Sequence, residues 1–243
     1  MKTYLLTLFL FSFTAYSQSN SGIITYKKEN LKNIFTKDKE KRLGVKKYQE
    51  FSNIEKATNR AHKVLEFTLL FNKKESRFES QNFLNTPKDR FLKFSVGPEG
   101  KGVFYNTTKE RLRQRDIFGE YLLISYNKLT WKLENKTKKI GNYTCFKATT
   151  IDSVKTRNGI KKYNVTAWYS PQINVSFGPI GFSGTPGLIL ELERNNKKYF
   201  ATKIKLNTKK KVIIKKPKKG KKISEDDFRN MLISARKDYR KLR

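Results

Sequence analysis

From residue 22 to residue 206 the chain reads as short alternating apolar segments separated by turn residues, with no long helical period between them. Strands that follow one another without intervening helices pair antiparallel, because a parallel connection needs a crossover of a dozen or more residues. The segment VLEFTLLF shows the alternation best. Leu65, Phe67, Leu69 and Phe71 fall on one face, and Val64, Glu66 and Thr68 on the other. GIITY, SRFESQNFL, RFLKFSV, GVFYN, EYLLISY, TWKLE, YTCFKATTI, KKYNVTAWYS, LILELE and KYFATKIKL complete the series. Asn158-Gly159 and Asn195-Asn196 are turn signals between strands. A short helical period appears only around Asn53 to Lys63. The 18 Phe and 12 Tyr supply apolar mass for a real core, and a strongly curved sheet fits so many aromatics at alternating positions. The expected fold is mainly β: a single antiparallel, strongly curved, half-barrel-like sheet over residues 18–206.

Both ends differ from this pattern. Residues 1–17 have the parts of a secretory signal peptide: Lys2, the apolar stretch Leu5 to Phe13, and small residues Ala15 and Ser17 before a mature start at Gln18. That apolar stretch is too short to span a bilayer, which takes about 18 residues or more. The expected location is the periplasm or the medium. From Lys203 to Lys222 the chain holds eleven lysines and no acid. Residues 207–222 are expected to be a basic tether carrying Lys209, Lys210, Lys211, Lys215, Lys216, Lys218, Lys219, Lys221 and Lys222. Residues 223–243 then read as an amphipathic helix. Ser224 caps it with Asp227 three residues on, and Ile223 and Phe228 hold the staple positions. Phe228, Met231, Leu232, Ala235, Tyr239 and Leu242 form its apolar stripe. The helix is expected to dock on the domain, with a membrane surface or a protein partner as the other destinations.

The formal charge of +33 attracts polyanions such as anionic lipid headgroups and acidic polysaccharide. Export argues against nucleic acid as the partner. The inventory for catalysis is thin. There is one histidine, His62, and one cysteine, Cys145, so neither a histidine metal site nor an internal disulfide can form. Cys145 lies in an alternating strand, where it reads as a small buried apolar group. Glu191 and Glu193 share one strand face and read as its solvated side. Ser183 lies outside any nucleophile-elbow pattern. No metal, cofactor or catalytic residue is expected. Asp152-Ser153-Val154 matches a short pattern for O-glycosylation of exported bacterial proteins.

The stretch FGPIGFSGTPGLILELE places glycines at 178, 181, 184 and 187 among prolines and aromatics. A flexible linker would not carry Phe177, Ile180 and Phe182, so the stretch reads as a rigid, packed crossing between two strands. Gly184-Thr185-Pro186-Gly187-Leu188-Ile189 differs only at Thr185 from GLPGLI, the hexapeptide that names a family of secreted bacterial proteins. Trp131-Lys132-Leu133, Lys139 to Ala148, Ala167 to Pro171 and Phe177-Gly178-Pro179 follow that family's order and spacing. The chain therefore resembles the GLPGLI family. The resemblance implies export and brings no catalytic residues; it marks Gly178, Pro179 and residues 184–189 as a structural loop. The expected function is that of a non-enzymatic cell-envelope protein binding an apolar or anionic envelope component, such as lipid, in the sheet's concavity. The alternative is an interaction module whose basic tail docks on anionic surfaces or a protein partner.

Overall fold

A computed structural model describes residues 21–81, 95–98, 100–117, 119–208 and 211–241. The expected signal peptide, together with Lys209 and Lys210, lies outside the described residues. The strands are β1 (Gly22–Asn30), β2 (Phe67–Phe71), β3 (Glu75–Ser80), β4 (Val103–Thr107), β5 (Arg111–Ile117), β6 (Glu120–Ser125), β7 (Lys132–Ile140), β8 (Tyr143–Thr156), β9 (Gly159–Ser170), β10 (Leu188–Arg194), β11 (Lys197–Leu206) and β12 (Lys221–Ser224). The helices are α1 (Lys37–Leu43), α2 (Val45–Val64) and α3 (Glu225–Lys241). One sheet holds all the described strands in the order β12-β6-β5-β4-β3-β2-β1-β11-β10-β9-β8-β7. Every neighbouring pair is antiparallel except β12 beside β6. The fold is thus mainly β, one antiparallel-rich sheet that does not close into a barrel.

Alternation puts Leu69, Phe71, Phe67 and Phe78 on the inner face, each almost fully buried. Their rings form a ladder across β1 to β4: Tyr26–Phe78 at 6.0 Å, Phe67–Phe78 at 5.5 Å and Phe78–Phe104 at 6.0 Å between centroids. Such cross-strand aromatic pairs add to simple area burial. The sheet curves so far that its two wings share a lid: α3 touches β6 and β12 on one wing and β8 on the other. The crossing from β9 to β10 fills the space between. Phe177, Ile180, Phe182 and Thr185 are buried there, and the 3₁₀ turn Pro179–Gly181 lies against β3, β4 and β5. The crossing is pinned by its own backbone. The Gly184 N–H donates to Ser176 O at 3.0 Å, Leu188 N–H to Ile173 O at 3.1 Å and Ile189 N–H to Phe177 O at 2.9 Å. The Tyr26 hydroxyl donates to Ile189 O at 2.5 Å, tying the crossing to β1.

Helix α1 has no counterpart in the expected pattern, and four further elements depart from it. β5 carries the sequence RLRQRDI, whose alternate side chains Arg111, Arg113 and Arg115 hide the strand period under charge. Helix α2 runs over 20 residues, where only Asn53 to Lys63 looked helical; its buried side is just Thr58, Ala61 and His62, so the apolar stripe is thin. Of RFLKFSV, the described Ser95 and Val96 begin a helical turn, not a strand. The lysine-rich run ends in β12, which extends the sheet.

Candidate functional site

The side chains with reactive chemistry do not converge among the described residues. Cys145 is fully buried on β8, and burial pushes its thiol up to about 11, so it is an inert core group. His62 sits on α2 with Nε2 donating to Ser95 O at 3.1 Å. No hydrogen bond joins it to Cys145 among the described residues. Glu191 pairs with Lys138 at 2.6 Å, and that ammonium stands over the Trp168 ring. Among the described residues no group of His, Cys, Asp and Glu is arranged to hold a metal ion.

His62 is 3% exposed, and burial first, then the Lys28 ammonium, hold its pKa near 4. The unfolded chain therefore binds the extra proton between about pH 6.5 and pH 4 while the native state does not. Stability is full above pH 6.5 and falls as pH drops through that window, by at most about 3 kcal/mol. Thermal melts at pH 7 and pH 4.5 measure this, and His62→Gln should remove much of the difference.

Two features of the described residues stand out as able to bind. The first is the lysine run, which is strapped across the outer face of β3 to β6. Val212 and Pro217 are buried as its anchors. Arg77 donates to Lys215 O at 3.0 Å, and Gln114 to Lys219 O at 2.6 Å. Lys216 pairs with Glu110 at 2.6 Å and lies over Tyr105, while Lys219 lies 4.1 Å over Tyr121. The backbone is thus fixed, and Lys211, Lys215, Lys218, Lys221 and Lys222 stand exposed. None of these five has a carboxylate within ion-pair distance among the described residues.

The second is a polar cleft on the inner face, under the start of α3. Its inner chamber is about 70 Å³, and Arg111, Arg113, Asn106, Tyr126, Asp152, Arg194, Glu225 and Arg229 contribute its polar lining. Arg111 Nε donates to Gly181 O at 3.1 Å, and its guanidinium also reaches Asn127 O. Arg194 Nε donates to Asp152 at 2.6 Å, and Arg229 to Glu225 at 3.1 Å. Arg113 is 6% exposed, donates to Lys101 O and stacks 4.5 Å over Phe104. Burial lowers the Arg111 pKa, and burial raises that of Glu225 against the pull of Arg229. Among the described residues, three buried polar atoms of the cleft's lining have no hydrogen-bond partner: Asn106 Oδ1, the Tyr126 hydroxyl and Arg229 Nε. None of these residues was singled out for binding in the sequence. Their signal was the arginine alternation of β5, which reads as a solvated surface until the strand is paired.

The expected loop residues hold the crossing rather than either site. Gly178, Pro179, Gly184, Thr185, Pro186 and Gly187 fix its path, and Leu188 and Ile189 start β10 fully buried. Thr185, the departure from GLPGLI, is buried and donates its hydroxyl to Gly187 O at 2.8 Å.

Residues 104–229 match the family model described as "N-glycanase peptide, N-terminal domain". Two solved structures of PNGF-II, in C2 and P21 space groups, are similar over 88% of this chain and 33% of theirs, with a TM-score of 0.52 and 16% identity. At that identity the likeness shows the fold alone, and this chain spans about a third of the PNGF-II length. No curated protein matches the sequence.

Proposed function

The chain belongs to the family of N-glycanase N-terminal domains, and on that premise we propose that it is an exported, non-enzymatic module of the cell envelope that holds anionic envelope polymer against its lysine-clad outer face. The observation that carries this is the strap: a lysine run whose backbone is fixed on the sheet while five ammonium groups face solvent without acidic partners among the described residues. Fixed cations lose little freedom on meeting a polyanion, so each contributes about 1 kcal/mol near an anionic surface. The concave side is filled by Phe177, Ile180 and Phe182, which favours the outer face over lipid held in the concavity. Export and kinship with the GLPGLI proteins are part of the same reading. It takes over no catalysis from any N-glycanase.

The test uses the full mature chain on a sulfated polysaccharide column and on neutral dextran. Retention is expected on the first only, and is expected to fade between 0.1 and 1 M salt as the screening length falls from about 10 to about 3 Å. Replacing Lys211, Lys215, Lys218, Lys221 and Lys222 by Gln should weaken binding on the order of a thousandfold with the melting temperature unchanged. Retention that ignores salt, or that survives these five substitutions, would sink the reading.

A further inference from the structure

We propose that the cleft beneath α3 is a binding site for a small carboxylate-bearing, polyhydroxylated ligand of the uronic-acid class. The site rests on different residues, and a different face, from the lysine strap.

A purely structural polar network pairs its members, since a buried polar atom without a partner costs about as much as a lost hydrogen bond. Here Asn106 is 2% exposed with Oδ1 unpaired, and the Tyr126 hydroxyl and Arg229 Nε are buried and unpaired among the residues that line the chamber. Two of these three atoms are hydrogen-bond donors, so the chamber lacks acceptor oxygens above all. Its guanidiniums outnumber its carboxylates by four to two, and burial strengthens what remains of that imbalance. An oxygen anion supplies acceptors for those two donors, and a ligand hydroxyl would serve Asn106 Oδ1. A volume of about 70 Å³ has room for roughly two waters, or for a planar carboxylate in their place.

The surroundings choose among anions. Tyr126, Glu225 and Arg229 line both the chamber and an adjoining outer recess of about 240 Å³. Ser125, Asn127, Ser153 and Ser224 line that recess, and all four are exposed. Hydroxyl and amide groups of this kind exchange hydrogen bonds with a hydroxylated ring. The recess itself is formally neutral, Lys155 and Arg229 balancing Glu225 and Asp226, so it suits the uncharged ring of a sugar acid better than the further charge of a free phosphate. Acid group within and hydroxylated ring without is the arrangement of a uronic acid.

The experiment is a calorimetric titration of the full mature chain with glucuronate, and with glucose and inorganic phosphate in separate arms. Glucuronate is expected to bind one to one with a millimolar or tighter Kd, and glucose and phosphate at least tenfold more weakly. Tyr126→Phe removes a hydroxyl that has no partner in the free protein, so the free variant should melt at or above the parent temperature. Its glucuronate affinity should fall about tenfold, the value of one hydrogen bond to a charged group. The five-lysine Gln variant should bind glucuronate as the parent does. The proposal is overturned if glucuronate does not bind, if phosphate or glucose binds as well, if Tyr126→Phe keeps full affinity, or if the strap variant loses it. The first of these leaves the polymer reading of the outer face intact, and loss of polymer retention leaves the cleft intact.

Discussion

Gly187→Val is expected to give no folded protein, while Gly184→Val in the same loop is expected to fold with reduced stability. Glycine at 187 is required by distance. A Cβ there would stand 2.3 Å from Ser170 O, 2.5 Å from Ser170 C and 2.7 Å from Pro171 N. All three are backbone atoms at the end of β9, so no rotamer change relieves the clash. Leu188, the next residue, pairs with Ser170 in the β9–β10 ladder and is fully buried. Moving residue 187 away from Ser170 therefore pulls β10 out of register in the middle of the sheet, between β9 and β11. Gly184 differs. The nearest atoms to a Cβ there, Leu129 O and Trp131, lie 3.6 Å away, an ordinary contact. Its cost is mainly the backbone at φ +100°, about 1–3 kcal/mol for a residue with a side chain. Soluble yield and urea melts of both variants decide it. A Gly187→Val chain melting like the parent would show that the crossing is not held against Ser170.

How much of this was legible in the sequence depends on which way each strand turns its polar side. β2 reads plainly because Phe67, Leu69 and Phe71 go to the core and Thr68 and Leu70 do not. The β8–β9 and β10–β11 hairpins follow from Gly159 at φ +96° and from Asn195 and Asn196 at φ +48° and +59°, conformations the Asn and Gly signals anticipate. β5 was missed because it inverts the rule: Arg113 goes inward under α3 while Leu112 and Gln114 take the outer face. An inward-facing arginine strand looks like loop until its partners are known, and the partners of Arg113 here are the Lys101 carbonyl and the Phe104 ring. The cleft was illegible for the same reason, since its members come from β4, β5, β8, β10 and α3 and share no spacing in sequence. The lysine run was legible as charge and not as structure. Its anchors are two residues, Val212 and Pro217, and main-chain carbonyls that every residue carries.

The helix that completes the cleft should be the other point of greatest sensitivity. Phe228 is 1% exposed and packs on Leu122 and Ile124 of β6, forming a small core separate from the main one. The first turn is set by local chemistry: Asp227 N–H donates to Ser224 Oγ at 3.1 Å, and Ile223 packs with Phe228 across the cap. Farther along, Met231 and Leu232 are only partly buried and Ala235 is exposed. Among the described side chains of α3, docking therefore hangs largely on one ring. Phe228→Ala should cost about 3–5 kcal/mol of stability in urea melts, because a large side chain leaves and the small core around it cannot close the gap. Hydrogen exchange should show the loss concentrated in α3, β12 and β6, with β1, β2 and β9 to β11 still protected, since their core lies in another cluster. Glu225 and Arg229 leave the cleft with the helix, so the same variant should lose glucuronate binding entirely rather than by the single factor expected of Tyr126→Phe. Uniform loss of protection across the sheet would mean that α3 is part of the main cooperative unit. A change below about 1 kcal/mol would mean that the helix is held by something other than this ring.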